Sequence, residues 1–141
     1  MLKTIIVALD TSEFSQQTIE SLDWLQIQPT TKIILCHVIP TGESEEEIAV
    51  DRPHNVEDLL YQEIEKQLQS FQESLPYKSE IEIVNGEPAV EIIRLAHIHQ
   101  ADLIAIGSRG LTGVNRIIKG SVSSQVAADA PCCVMVVKPA F

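Results

Sequence analysis

Short apolar runs alternate along the chain with longer stretches in which apolar residues recur at helical spacing. Largely apolar runs lie at 3–9, 32–39, 103–106 and 133–137, and glutamate alternates with isoleucine over 80–84. Continuous runs are typical of strands covered on both faces, and alternation is typical of a strand with one wetter face. The pattern therefore predicts five strands, with 3–9 in the centre of a sheet and 80–84 at its edge.

The stretches between these runs have the spacing of amphipathic helices, at about 15–25, at 56–74, from Pro88 onward and at 121–130. Strands joined by helices of this length run parallel, because the chain must cross back over the sheet. We therefore predict an α/β fold, a doubly wound sandwich with a five-stranded parallel sheet and about four helices. The residues expected to face the sheet are Phe14, Ile19 and Leu22, then Leu59, Leu60, Ile64, Leu68, Phe71 and Leu75, then Val90, Ile93 and Ala96.

The length and the acidic stretch bear on domain organisation. At 141 residues the chain fits one domain, 1–141. The stretch at about 41–56 has no apolar periodicity and concentrates acidic residues. We expect it to be a flexible, exposed loop, either a lid or partner surface or simply a solvated excursion.

A glycine-punctuated segment follows the fourth predicted strand and leads into the last helix. Its fixed positions are Gly107, Gly110, Gly120 and Ser121, in the spacing G-x2-G-x9-G-S. Glycine lets a backbone approach a ligand closely, and a helix N-terminus offers unpaired N–H groups, so phosphate is the expected ligand. The spacing matches neither the Walker loop nor the dinucleotide fingerprint. An alternative stays open in which the glycines only make turns and Ser121 caps the helix.

Charge narrows the classes of partner. The formal net charge of −10 argues against nucleic acid and against anionic membranes, because both are bound through Lys and Arg. No apolar run approaches the roughly 18 residues that span a bilayer, and the first residues are interpreted as a strand rather than a signal peptide. We expect a soluble, cytoplasmic protein. Against this acidic background, Arg109, Arg116 and Lys119 all fall within the glycine segment.

The reactive side chains form no recognisable catalytic or metal-binding pattern. The three cysteines lack C-x2-C spacing and are interpreted as buried, reduced thiols: Cys36, Cys132 and Cys133. The four histidines are interpreted as structural or solvated side chains: His37, His54, His97 and His99. Neither a nucleophile beside a base nor an acidic cluster for two metals is legible. The sequence therefore favours binding over catalysis.

The glycine segment resembles the nucleotide-binding signature of the universal stress protein family, in its ATP-binding branch, and carries every fixed position of that signature. The resemblance extends to the opening segment 5–12, the second strand at 35–39, the turn Gly86-Glu87-Pro88 and the start of the fourth strand at 101–104. It therefore covers nearly the whole chain. It implies a Rossmann-like fold of the adenine nucleotide alpha hydrolase-like type.

The resemblance also implies a nucleotide site at the carboxyl ends of the strands, where ligands of such sheets bind. Asp10, at the end of the first strand, is suited to accept a hydrogen bond from a ribose hydroxyl, with helix capping as the alternative. Val38 matches the position whose backbone meets the adenine, an assignment that rests on the resemblance alone. The residues expected around the nucleotide are Ala8, Asp10, Thr11, Val38, Gly107, Arg109, Gly110, Gly120, Ser121, Val122 and Ser123.

The expected function is that of an ATP-binding universal stress protein, a nucleotide-responsive regulator or protective factor. Its expected cofactor is ATP, with Mg²⁺ or Mn²⁺ bridging the phosphates. Family likeness further implies a homodimer, and the apolar strand at 133–137 suits it because a partner strand would cover an aggregation-prone edge. One alternative is a slow ATPase or self-phosphorylating switch. Another is a protein-interaction module that binds no nucleotide.

Overall fold

The computed structural model describes residues 2–10, 15–40, 54–108 and 122–138, and for 54–58 the backbone only. Its strands are β1 (Thr4–Ala8), β2 (Lys32–Pro40), β3 (Ser79–Gly86), β4 (Leu103–Gly107) and β5 (Cys133–Val137). Its α-helices are α1 (Ser15–Glu20), α2 (His54–Ser74), α3 (Pro88–His99) and α4 (Val122–Asp129), with a 3-10 helix at Ser21–Trp24. The predicted orientation of Phe14 and the predicted loop at 41–53 lie outside the described residues.

The five strands form one parallel sheet in the order β3-β2-β1-β4-β5. β1 occupies the centre, and Ile5, Ile6 and Val7 have no exposed surface. A strand can be apolar on both faces only when helices cover both, which is the arrangement of a doubly wound sandwich. The predicted fold class, the central first strand and the edge position of β3 are confirmed.

Each face of the sheet has its own core. On one face, β1 residues Ile6 and Ala8 pack with buried residues of α3 and α4, such as Leu95 and Val126. On the other face, the residues of β1 next in sequence pack with α1, the 3-10 helix and α2; this core contains Ile5, Val7, Leu9, Ile19, Leu22, Ile64 and Leu68. Because successive side chains of β1 point to opposite faces of the sheet, this strand contributes residues to both cores.

The first helix is shorter than the predicted 15–25. The Ser21 hydroxyl donates to the Thr18 carbonyl oxygen at 2.6 Å, and a side chain that bonds the backbone in this way competes with the regular helical ladder. The chain tightens into the 3-10 helix at this point. Ile19 and Leu22 are buried as predicted.

The second helix begins at His54, so residues 54–56, which were predicted to belong to the acidic loop, are helical. Ile64 and Leu68 are buried as predicted, but Leu59 and Leu60 are 61% and 42% exposed. The turns of α2 that reach the core are those from Ile64 onward, where Leu68 is also buried and Phe71 packs against the same core.

The third helix begins at Pro88 as predicted, with proline in its first turn. Its predicted core stripe was wrong at two positions, since Val90 is 53% exposed and Ile93 is half-buried, whereas Ala96 is buried as predicted. The buried residues are Ala89, Ile92, Leu95 and Ala96. Apolar residues occur nearly all round this helix, so its spacing alone could not identify the face that packs on the sheet.

None of the helices in the described ranges is both long and apolar enough to cross a lipid bilayer.

Candidate functional site

The strand order reverses between β1 and β4, and this is the point at which open α/β sheets bind ligands, beyond the carboxyl ends of the strands. Ala8, the last residue of β1, lies opposite Cys36 of β2 and Ile106 of β4. The chain segments that follow these strands therefore leave the sheet side by side. Asp10 lies in the segment that follows β1, and Gly107 is the last residue of β4.

Asp10 is joined to the start of α1. The Ser15 hydroxyl donates to Asp10 Oδ1 at 3.0 Å, and the Asp10 N–H donates to Ser15 Oγ at 3.3 Å. Ser15 is buried, whereas Asp10 is half-buried. The sequence offered two roles for Asp10, a ribose contact or capping of the following helix. The observed bond joins Asp10 to the Ser15 side chain of that helix, and the ribose contact stays a prediction. A carboxylate accepts several hydrogen bonds, so this contact is compatible with a ligand at the same side chain.

Val38 is the last buried residue of β2. Its side chain is 6% exposed and belongs to the core beneath α3, together with Ala8. Any contact between Val38 and a ligand must therefore be made by its backbone, in agreement with the sequence expectation. Ala8 is likewise buried in this core, directly beneath the end of the sheet.

His37, which the sequence interpreted as a structural or solvated side chain, also lies in this region. Its Nδ1 lies 2.7 Å from the Leu9 carbonyl oxygen, and its side chain is buried. A carbonyl oxygen can only accept, so Nδ1 carries the hydrogen and donates it. The available signal was a polar, ring-shaped side chain inside the apolar run of β2, one residue before Val38.

The end of β4 is held against β5. Gly107 lies opposite Val137, and the Ser108 N–H donates to the Val137 carbonyl oxygen at 2.9 Å. Because the chain must return from β4 to the parallel strand β5, the N-terminus of α4 points towards the same edge of the sheet as Gly107. Val122 is 37% exposed there and Ser123 is half-buried.

The first turn of α4 contains no acidic residue. Backbone N–H groups and the positive end of the helix dipole can therefore act on an anion without competition from a carboxylate in that turn.

The described members of the predicted site lie at one edge of the sheet: Ala8, Asp10, Val38, Gly107, Val122 and Ser123. The others, Thr11, Arg109, Gly110, Gly120 and Ser121, fall outside the described residues. The structure thus brings together the strand ends and the helix start from three separate parts of the chain. The basic side chains predicted in the glycine segment are not among the described residues.

The cysteines differ from one another. Burial raises the pKa of the Cys36 thiol to about 12, and the nearby Glu82 carboxylate adds to the shift. Burial also raises the pKa of Cys132, which is half-buried. Cys133 is exposed, so the prediction that all three thiols are buried was wrong. Cys133 is the first residue of an edge strand, which has a neighbour on one side only. All three are free thiols.

Within the described ranges, no three His, Cys, Asp or Glu side chains lie together in a way that could hold a metal ion. His99 instead approaches Glu82, with its Nε2 2.6 Å from Glu82 Oε1. This contact joins the end of α3 to the edge strand β3, away from the carboxyl ends of the strands.

Comparisons with known proteins agree on one family. The model of the universal stress protein family matches residues 1–138. Universal stress protein MJ0531 of Methanocaldococcus jannaschii is 42% identical over 77 residues, which make up 55% of this chain and 45% of that protein. Universal stress protein YxiE of Bacillus subtilis is 28% identical over 149 residues, covering 98% of this chain and all of the relative.

Solved structures share the fold. The structure of the hypothetical protein MJ0577 matches with a TM-score of 0.83 at 27% identity, over 99% of this chain and 97% of that one. A universal stress protein in complex with cAMP matches with a TM-score of 0.72 at 21% identity, over 96% and 97% of the two chains. An Arabidopsis thaliana family member with AMP bound matches with a TM-score of 0.66 at 18% identity, over 98% and 92%.

Proposed function

The chain belongs to the universal stress protein family, and on this premise we propose that it binds adenine nucleotides, ATP among them, at the carboxyl edge of its sheet. In this proposal it acts as a nucleotide-responsive stress regulator or protective factor. The cytoplasm is the proposed compartment.

The observation that carries the proposal is the meeting of three elements at the switch point of the sheet. Asp10 lies beyond β1, the Val38 backbone lies near the end of β2, and Gly107 ends β4. In the proposed complex, Asp10 accepts from a ribose hydroxyl and the Val38 backbone bonds the adenine. A short aspartate side chain suits a hydroxyl donor because an ionised carboxylate only accepts.

The phosphates are proposed to lie at the N-terminus of α4, near Val122 and Ser123. Support comes from the absence of acidic residues in the first turn of this helix and from the affinity of helix N-termini for anions. Gly107, Arg109, Gly110, Gly120 and Ser121 complete the proposed phosphate segment, and Thr11 lines the same pocket. Mg²⁺ or Mn²⁺ is proposed to bridge the phosphates rather than to be held by a protein site of its own.

The ligands bound by relatives indicate the chemical class of the proposed ligand. Family members with this fold have been solved with cAMP, AMP and dAMP. All three ligands combine an adenine base with a phosphate, which is the pairing that an adenine contact at β2 and an anion site at α4 would recognise.

The test begins with the nucleotide content of purified, gently unfolded protein, followed by calorimetric titration of the emptied protein with ATP, AMP and cAMP. We expect saturable binding of at least one of them at one site per chain. Asp10→Ala and Gly110→Val should each abolish or strongly weaken it. Asp23→Ala, which removes the same charge from an exposed position on the 3-10 helix, is the matched control and should bind as the wild type does.

Two results would redirect the assignment. Steady phosphate release that is lost in Asp10→Ala would support a slow ATPase. The absence of any adenine nucleotide, both in the purified protein and on titration, would contradict nucleotide binding and favour an interaction module.

A homodimer through β5 is also proposed. β5 is an edge strand of apolar sequence, and Val136 is 38% exposed on it. Unpaired apolar edges are prone to association, and a two-fold partner strand would cover this one. Sedimentation should give twice the chain mass for the wild type and the monomer mass for Val136→Lys. A monomeric wild type would contradict the dimer while leaving the nucleotide proposal untouched.

A further inference from the structure

We propose that His37 is a positioning residue of this site: its imidazole ends the hydrogen-bond ladder between β1 and β2 and thereby leaves the Val38 N–H to the base of the ligand. The inference rests on the proposed nucleotide site. It adds to that site a residue whose role is to hold backbone groups in place, without touching the ligand itself.

The hydrogen-bond ladder between β1 and β2 lacks the bond that would follow its last observed one. The Leu9 N–H donates to the Cys36 carbonyl oxygen at 2.8 Å. In a regular parallel ladder the next bond would run from the Val38 N–H to the Leu9 carbonyl oxygen. That bond would add a pairing of Leu9 with His37, but the register ends at Ala8 and Cys36.

The Leu9 carbonyl is occupied by a side chain instead. It accepts the hydrogen bond from His37 Nδ1 at 2.7 Å, in a buried setting. A buried carbonyl left without a partner is costly, so the imidazole supplies the bond that the Val38 N–H would have made. Alternate residues of a strand present their backbone groups to the same neighbour, so Val38, like Cys36, faces the β1 side. There it lies beyond the last paired residue of β1.

The same bond fixes the peptide unit that leads into Asp10. The Leu9 carbonyl and the Asp10 N–H belong to one planar peptide group. His37 holds its oxygen and Ser15 Oγ accepts from its N–H at 3.3 Å. With both ends fixed, the direction in which the Asp10 side chain leaves the backbone is set before any ligand binds, which lowers the ordering cost of binding.

The other end of β2 offers a matched comparison. The buried Thr31 donates its hydroxyl to the Leu2 carbonyl oxygen at 2.8 Å. Like His37, Thr31 is a polar residue at an end of β2 that bonds a carbonyl of the segment containing β1. It lies at the amino edge, away from the site. Thr31→Val therefore removes this bond, together with the one that Thr31 Oγ1 accepts from the Gln28 N–H at 3.1 Å, without altering Val38 or Asp10.

The experiment compares four variants in calorimetric titrations with AMP and IMP, whose bases differ at N1 and C6. AMP presents an acceptor at N1 and an amino group at C6, whereas IMP presents an N–H at N1 and a carbonyl at C6. His37→Leu should bind AMP at least about tenfold more weakly, as expected for the loss of a well-placed hydrogen bond. It should also lose the preference for AMP over IMP. His37→Asn places an amide nitrogen at the position of Nδ1 and should restore both. His37→Gln places it one bond farther out and should not.

Thr31→Val should keep the wild-type affinity and the preference for AMP, whatever stability it loses. The inference would be overturned by wild-type AMP affinity and base preference in His37→Leu, or by equal losses in His37→Asn and His37→Gln. If His37→Leu does not fold, the comparison of Asn with Gln decides. A wild type that binds neither nucleotide overturns the proposed function together with this inference, whereas binding by the wild type and by His37→Leu alike overturns the inference alone.

Discussion

Ser15 and Asp10 are joined by a reciprocal pair of hydrogen bonds, one from the Ser15 hydroxyl to Asp10 Oδ1 at 3.0 Å and one from the Asp10 N–H to Ser15 Oγ at 3.3 Å. The pair links the end of β1 to the first residue of α1. Because Ser15 is buried, its hydroxyl cannot exchange these partners for water.

Removing this hydroxyl should therefore destabilise the fold. Ser15→Ala is expected to lower the free energy of unfolding by about 1–2 kcal/mol, the range for a buried hydrogen bond whose partner is left behind. Urea denaturation followed by circular dichroism gives the value. Ser74→Ala is the control, because the Ser74 hydroxyl donates to the Phe71 carbonyl oxygen at an exposed site. Equal losses in the two variants would contradict the argument from burial.

Asp102 should make the free energy of unfolding depend on pH in the acidic range. The backbone N–H groups of Thr4 and Lys3 donate to its carboxylate, at 3.0 and 2.8 Å, and hold its pKa below the usual value. A lowered folded-state pKa contributes stability above the unfolded-state pKa of about 3.9, and this stability is lost as the pH falls through the folded-state value.

The variant Asp102→Asn tests this predicted direction of the pH dependence of stability. Its deficit in urea midpoint relative to the wild type should be largest near neutral pH and should shrink below about pH 4. Asp23→Asn changes the same charge at an exposed position and should show no such convergence. A deficit for Asp102→Asn that stays constant down to acid unfolding would show that the carboxylate charge plays no part.

The thiols should react in a fixed order. In the monomeric variant Val136→Lys at about pH 8, an alkylating reagent should modify exposed Cys133 first. It should modify Cys132 more slowly, because burial raises the pKa of that thiol and only the thiolate is a nucleophile. Cys36 should stay unmodified in the folded protein because burial raises its pKa to about 12. Peptide mapping by mass spectrometry identifies the sites. Cys133→Ser should remove the fast phase, and early labelling of Cys36 without denaturant would contradict the buried placement.

Gly86 should not tolerate a side chain. Its φ is 150°, and a Cβ built there would lie 2.7 Å from Glu91 Cγ. Gly86→Ala is expected to cost about 1–3 kcal/mol through backbone strain and displacement of Glu91. Glu91→Ala alone should cost little, because the Arg94 it pairs with is about half exposed.

The double variant Gly86→Ala/Glu91→Ala separates the two causes of this loss. It should recover the part due to crowding and retain the part due to strain. A double variant as stable as Glu91→Ala would mean that the backbone angle carries no cost.

Several features of the fold could be predicted because they depend on local composition. Apolar runs identified four strands, and the alternation of glutamate with isoleucine identified β3. Pro88 marked the start of α3, and the alternation of helix with strand required parallel crossovers. The core face of α3 could not be predicted, since Val90 and Ala89 are both apolar neighbours and only packing on the sheet separates them. Nor could the end of β2 be predicted. The apolar run that predicted this strand ends at residue 39, yet β2 includes Pro40, paired with Gly86.

Pro40 can belong to β2 because β1 no longer pairs with β2 at this position. Like Cys36 and Val38, Pro40 turns its backbone nitrogen towards β1, which has already ended, so the missing N–H costs no ladder bond. A proline near the end of a strand can therefore stay paired with the strand on one side, provided that its nitrogen faces the side on which pairing has already ended. The sequence gives no indication of which side that is.

For the candidate site, the sequence by itself determined the residue types: an aspartate after the first strand, a glycine at the end of the fourth and serines at the start of the last helix. These are local signals, because each depends on where an element begins or ends. Only the tertiary structure decided that His37 bonds the Leu9 carbonyl and that Ser15 holds Asp10. The His37 contact joins residues 28 positions apart, and a contact of that kind follows from strand register, which is set by the packing of the whole sheet.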